Sequence, residues 1–244
     1  MALCEIRFKS SSLRKSESMY AVVPDGKGPF SVLYLLHGLS DDYTMWQRRT
    51  SIERHAEGLP FIVVMPDGGR SFYCNHTGGE QYEDHIVRDV VGTVDCMFHT
   101  KRSRKNRAIA GLSMGGYGAI MLALRHPDIF SAAASHSGAL FFGHERLSGR
   151  QHDKVNRQWR DLPRGKYDCY RLAAKLARRG RTPAIRIDCG KDDFLIRHNR
   201  NFAAHLSRLG IKHTYEEFPG AHTWAYWDEH IVQTLAFAKS RLRV

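Results

Sequence analysis

Apolar and polar positions along the chain alternate between short saturated runs and longer stretches in which apolar residues recur three and four apart. The saturated runs are FSVLYLLHG (30–38), FIVVMPDGG (61–69), RAIAGLS (107–113), FSAAASHSG (130–138), AIRIDCG (184–190) and HTYEEFPG (213–220). Several are near-continuously apolar, the pattern of strands buried on both faces of a parallel sheet. Helical spacing appears between them in EDHIVRDVVGTVDCMFH (83–99), MGGYGAIMLALRH (114–126), LIRHNRNFAAHLSRLG (195–210) and WAYWDEHIVQTLAFAKSRL (224–242). Gly210 and the His126-Pro127 pair are plausible helix stops. The opening segments EIRFKS and MYAVV alternate more strictly and predict an antiparallel edge hairpin. This order of elements predicts an α/β fold, a mostly parallel central sheet with helices on both faces. No repeat, low-complexity tract or Pro/Ser-rich linker interrupts it, so residues 1–244 are expected to form a single domain.

Composition narrows the class. At 244 residues, with 42% apolar and 11% aromatic residues, the chain can bury a substantial core. No run approaches the roughly 18 to 20 consecutive apolar residues of a membrane span. The first segment has no apolar block after a basic one, so we expect no leader peptide. The 5 cysteines are scattered, odd in number and without a CxxC pair. A reducing compartment, the cytoplasm, accounts for them better than a disulfide framework. The 14 histidines show no metal-ligand spacing, so neither a metal nor another cofactor is expected.

The formal charge of +12 is densest in KRSRKNR (101–107) and RLAAKLARRGR (171–181). Nucleic-acid binding is one reading; a solvated loop and the outer face of an amphipathic helix are the other. No RNA-binding or helix-turn-helix signature accompanies the charge, so nucleic acid is disfavoured as a partner. Attraction to anionic substrates or surfaces stays open. A homo-oligomer is compatible with the chain.

In α/β sheets ligands bind beyond the C-terminal ends of the strands. That rule selects HGLSDD, PDGGRSFYCN, GLSMGG, HSG, GKDDF and PGAHTW. GLSMG fits G-x-S-x-G, in which glycines let a strand fold sharply into a helix with a serine at the apex. Ser113 is then a candidate nucleophile, and the Met114 N–H at the new helix's first turn points to where an oxyanion would develop. A hydroxyl needs a base, and His222 follows the last strand. The histidine needs a carboxylate, and Asp192 and Asp193 follow the penultimate strand. Asp193 is favoured by reading the loop from Gly190, with Asp192 as the alternative. The Leu39 N–H, after Gly38, is the second candidate oxyanion donor. His37 is read as a brace for that loop.

YLLHGLSDDYTMWQRRTSIERHAEGLPFIVVMPDGGRSFY, IAGLSMGGYGAIMLALRHPDIFSAAASHSG, CGKDDFL and PGAHTWAYWDEHI resemble the esterase D-type α/β-hydrolases. Tributyrin and acetyl esterases are the nearest group, with feruloyl esterases, S-formylglutathione hydrolases and mycolyltransferases as relatives. The resemblance runs from about residue 5 to residue 240. It implies the α/β-hydrolase fold, Ser113 as nucleophile, His222 as base, an aspartate of GKDDF as its partner, and Leu39 and Met114 as the oxyanion hole. Residues 140–181 match no motif, and in this fold that region often forms a lid. There Phe141, Phe142 and Trp159 either line an acyl pocket or pack the segment onto the sheet. Arg70, Ser71, Tyr73 and Trp224 lie at strand ends as further candidate substrate contacts.

The expected protein is a metal-free serine esterase acting on small-molecule, short-acyl carboxylic esters. An S-formylglutathione-type thioesterase or an acyltransferase on the same triad is the alternative. A non-catalytic nucleic-acid-binding protein on a borrowed fold ranks below both.

Overall fold

The pattern of the first two segments produces a hairpin: β1 (Ala2–Ser10) pairs antiparallel with β2 (Lys15–Val23). A computed structural model of the chain describes residues 1–145, 162–163 and 165–243. The saturated runs become β3 (Ser31–Leu36), β4 (Phe61–Pro66), β5 (Arg107–Leu112), β6 (Ala132–His136), β7 (Ala184–Gly190) and β8 (His213–Phe218). They form one sheet in the order β1-β2-β4-β3-β5-β6-β7-β8. The hairpin joins antiparallel through β2 and β4, and every pairing from β4 to β8 is parallel. The expected antiparallel edge and parallel interior are both present.

Two apolar layers follow from the two-residue period of the strands. Val32, Tyr34 and Leu36 face one cluster with Ile62, Val64 and Ile109. Leu33 and Leu35 face the other with Phe61, Val63 and Met65. Helices α1 (Met45–Arg49), α2 (Ile52–Ala56) and α8 (Trp224–Arg241) cover the second face through Trp46, Ile52 and Ile231. The first face is covered by α4 (Val91–Met97), α5 (Met114–Arg125), α6 (Cys169–Ala177) and α7 (Ile196–Arg208). Before α4, α3 (Tyr82–Asp84) runs into a π-wound turn, His85–Val90. Helical periodicity over 83–99 predicts the run but not its widened middle. The pattern left α1 and α2, of five residues each, unassigned.

No helix among the described residues is long and apolar enough to cross a membrane. Of the lid expected at 140–181, residues 146–161 and 164, Trp159 among them, lie outside the described residues. Parallel strands bring their C-terminal ends, and the loops that follow them, to one end of the sheet. The candidate residues lie there.

Candidate functional site

At the end of β5 the chain reverses into α5 at Ser113, which adopts φ 53° and ψ −115°. A non-glycine residue in this region is strained and persists only where its surroundings over-determine it. They do so here. The Ser113 N–H donates to the His136 carbonyl at 2.9 Å, and its own carbonyl accepts from Tyr117 at 3.0 Å and Ala139 at 2.9 Å. The flanking glycines are required by close approach. A Cβ on Gly111 would sit 2.5 Å from the Gly115 carbonyl carbon, and one on Gly115 would sit 2.6 Å from the Leu36 and His37 oxygens. Gly116 does what the sequence suggests, letting α5 approach β6 where a Cβ would lie 2.6 Å from Ser135 Oγ.

Loops after β7 and β8 bring two more side chains to this turn. The Ser113 hydroxyl lies 3.0 Å from His222 Nε2, and His222 Nδ1 lies 2.7 Å from Asp193 Oδ2. An ionised carboxylate only accepts, so it holds the imidazole proton on Nδ1 and leaves Nε2 to accept from Ser113. The other Asp193 oxygen accepts the Leu195 N–H at 2.8 Å, which fixes the carboxylate plane. Asp193 is buried whereas Asp192 is exposed, and only Asp193 reaches His222. Such a relay can draw a proton from a serine hydroxyl as it attacks a carbonyl.

His37 braces the neighbouring loop as expected. Its Nδ1–H donates to the Gly38 carbonyl at 2.8 Å, while Nε2 accepts the Gly68 N–H at 2.8 Å. Asp41 closes the loop from the other side by accepting the Gly38 N–H at 3.0 Å. Burial pushes the Asp41 carboxyl above its usual range, and that N–H only partly offsets the effect. Within the described residues the amides of Leu39 and Met114 donate to no backbone or side-chain acceptor, so both N–H groups remain available.

A cleft of roughly 380 Å³ opens over Ser113 and His222, walled by Leu39, Phe194, Trp224 and Trp227. Trp224 therefore lies where the sequence put it. Arg70 lies at the rim, donating through Nη1 to the Leu39 carbonyl at 3.2 Å. Two candidate contacts need correction. Tyr73 is fully buried with φ 56°, and its hydroxyl donates to the His37 carbonyl at 2.9 Å, so it supports the loop from beneath. Phe141 is also buried, its ring 5.2 Å from His198, and it does not line the cleft. Phe142 stacks on Phe72 at 3.8 Å, so the packing alternative holds for both phenylalanines. Phe194 and Trp227 escaped the sequence reading. Their rings lie 4.6 and 4.9 Å from the His222 ring. The signal available was the i, i+3 spacing of Trp224 and Trp227, one turn of a helix that begins beside His222.

Behind the elbow lies a buried polar network that hydrophobicity patterns do not reveal. His136 Nδ1 meets Asp188 Oδ1 at 2.9 Å, and the Tyr226 hydroxyl donates to the same oxygen at 3.0 Å. Arg186 bridges Asp188 to Glu216. Burial alone would raise the Asp188 carboxyl, but His136 and Arg186 outweigh it and hold the group below its ordinary value. The network sets β6 against β7 at the residue whose carbonyl receives the Ser113 N–H.

Comparison with known proteins bears on what this geometry is for. The Esterase family model, described as "Putative esterase", matches residues 10–238. The chain belongs to this family. An acetyl esterase from Caldicellulosiruptor saccharolyticus is 30% identical over 256 residues, covering 95% of this chain and 96% of that protein. Among solved structures, the substrate-bound fluorophosphonate-binding serine hydrolase F of Staphylococcus aureus superposes with a TM-score of 0.87 at 31% identity. An S-formylglutathione hydrolase from the same organism superposes with a TM-score of 0.86 at 30% identity. Each of the two covers 98% of this chain and 98% of its own. The esterase described here is thus a carboxylic ester hydrolase with the α/β-hydrolase fold, acting on small-molecule esters, as the motifs imply.

Proposed function

We propose that this esterase cleaves short-acyl carboxylic esters through an acyl-enzyme on Ser113. The observation carrying the proposal is the unbroken relay from Ser113 Oγ through His222 to Asp193. His222 Nε2 takes the hydroxyl proton as Oγ bonds to the ester carbonyl carbon. The carbonyl oxygen becomes an oxyanion facing the Leu39 and Met114 N–H groups. As the tetrahedral intermediate collapses, the bond to the alkoxy oxygen breaks and His222 returns the proton to the departing alcohol. Water then attacks the acyl carbon, giving a proton to His222, and the carboxylic acid leaves as Ser113 regains its hydrogen. Bulky rings of Phe194, Trp224 and Trp227 around the cleft favour a short acyl or alcohol group, in keeping with the acetyl esterase relative. Five free cysteines support a reducing compartment, the cytoplasm, as the place of action.

The test is hydrolysis of p-nitrophenyl acetate, butyrate and octanoate by the wild type and Ser113→Ala. Acetate or butyrate should be cleaved fastest, and only by the wild type. Preference for octanoate would contradict the short-acyl assignment, and activity retained by Ser113→Ala would contradict the nucleophile. S-formylglutathione belongs in the same series because a hydrolase named for that substrate superposes over nearly the whole chain. A kcat/KM for it about ten-fold or more above that for acetate would move the leaving group from alcohol to thiol. Acceptor-dependent product formation, with hydrolysis falling in proportion, would instead make the enzyme an acyltransferase.

A further inference from the structure

Among the described residues the excess of cations lies at the end of the sheet opposite the cleft. The strands from β3 to β8 are parallel, so the segments preceding them meet at one end. The last residues of α8 join them, where the Arg243 carbonyl accepts from Lys101 at 2.8 Å and from Ser31 at 3.1 Å. Segments 24–30, 57–60, 98–107, 126–131, 178–183, 208–212 and 239–243 hold 14 of the 37 Lys and Arg residues but only 3 of the 25 Asp and Glu. That excess of 11 compares with +12 for the whole chain, of which +4 belongs to residues 146–161 and 164, outside the described residues.

Helix termini explain part of this. Helices α6, α7 and α8 point their C-terminal ends here, and cations in a last turn are favourable by a few tenths to about 1 kcal/mol each. They also account for Arg102, which donates to the Asp95 carbonyl in the last turn of α4, but not for Lys105 in the same loop. Carboxylates do not neutralise the face either. Arg107 pairs with Asp95, but Lys101, Arg102 and Arg104 donate to the backbone carbonyls of Arg243, Asp95 and Thr182. Those contacts fix the side chains and leave their charges uncompensated. Arg104 and Arg181 are near enough that, after burial, the Arg181 charge is what lowers the Arg104 pKa.

Shape and composition indicate the partner. The charges extend across the sheet from β3 to β8, four spacings or about 19 Å at the usual strand separation. They also spread over both helical layers, with Arg179 following α6 on one face and Lys239 near the end of α8 on the other. Among the described residues the exposed large apolar side chains are Met1, Leu3, Met97, Phe194 and Val232, none of them in these segments. Phe30 and Phe98 are only half-buried and His99 and Met97 are exposed beside them, but cations far outnumber rings and apolar side chains on the described face. A broad array of cations with few apolar anchors matches a plane of anionic headgroups, adsorbed electrostatically. We propose that this esterase docks peripherally, by the face at the N-terminal ends of its parallel strands, on an anionic lipid surface. Docked so, its cleft points away from the surface, open to soluble esters.

The experiment is co-sedimentation with phosphatidylcholine vesicles, with and without about one third phosphatidylserine, at low and high salt. The wild type should partition onto the anionic vesicles only, and less as salt rises. Lys105, Arg179, Lys212 and Lys239 are exposed, and among the described residues their side chains make no hydrogen bond or ion pair. The variant K105Q/R179Q/K212Q/K239Q should lose about ten-fold or more in partitioning. A control of equal charge, R7Q/K9Q/R54Q/R88Q, should stay near wild type. Unchanged p-nitrophenyl acetate hydrolysis reports that each variant is folded, and the pairs K105Q/K239Q and R179Q/K212Q serve should the quadruple variant fail. No partitioning at low salt, or equal loss in patch variant and control, would overturn the proposal. So would tighter retention on random-sequence duplex DNA than on anionic vesicles, which would make nucleic acid the occupant.

Discussion

Asp192 and Asp193 are adjacent and chemically identical, yet only one is buried against the base. Asp193→Asn should lower kcat on an activated ester by a factor of about 10² to 10⁴, because the amide no longer holds the imidazole proton on Nδ1. Asp192→Asn should leave kcat within about two-fold; steady-state kinetics on both variants checks the pair. The elbow's geometry gives a second expectation at this scale. In Gly115→Ala the methyl would press on the Leu36 and His37 carbonyl oxygens, which are sheet and loop backbone and cannot swing aside. A loss on the order of 2–4 kcal/mol in urea unfolding is expected, together with lost activity. Ser113, His222 and the favoured aspartate were legible because each sits in the turn that follows a strand, where sequence position and spatial position coincide. Tyr73 was not, because a strand-end position does not say which way a side chain turns. Positive φ at Phe72 and Tyr73 directs the tyrosine under the loop, where the missing side chain of Gly118 makes room for its ring.

Single carboxylates also tie whole elements together. Glu83, on α3, accepts from Arg125 Nε at 2.6 Å at the end of α5 and from the Tyr167 hydroxyl at 2.9 Å just before α6, and it meets His126 Nε2 at 2.7 Å. Burial would raise its pKa, but His126, Arg125 and Tyr167 outweigh that and hold it at about 2 against an ordinary 4.5. A depressed folded-state value means the contribution is complete above pH 4.5 and disappears as pH falls from there toward 2. Glu83→Gln should therefore cost about 2 kcal/mol at pH 7 and flatten the loss of stability below pH 4.5, read by denaturant melts across that range. Asp188 does similar work between β6, β7 and α8. Asp188→Ala takes the buried carboxylate from His136 and leaves Arg186 with Glu216 alone, and about 3–5 kcal/mol of stability should go with it. The runs themselves were readable from hydrophobicity. The strand order was not, since β4 lies between β2 and β3 for reasons of long-range packing. Neither was the network at Asp188, because its partners His136 and Tyr226 lie 52 and 38 residues away on β6 and α8.

Across the whole molecule two ends are distinguished. One carries the relay, the aromatic walls and the carboxylates Asp41, Asp67 and Asp193; the other carries the cationic excess of the described residues. Composition made that charge visible, but only the parallel sheet collects it on one face away from the chemistry. The claim on which the account rests is that one residue, Ser113, is the nucleophile of the intact enzyme. Its most direct test is a fluorophosphonate probe followed by whole-protein mass spectrometry and peptide mapping. The account predicts one label per chain, on Ser113, formed more slowly in Asp193→Asn and absent in Ser113→Ala. A label on any other residue, or one that persists in Ser113→Ala, would contradict it.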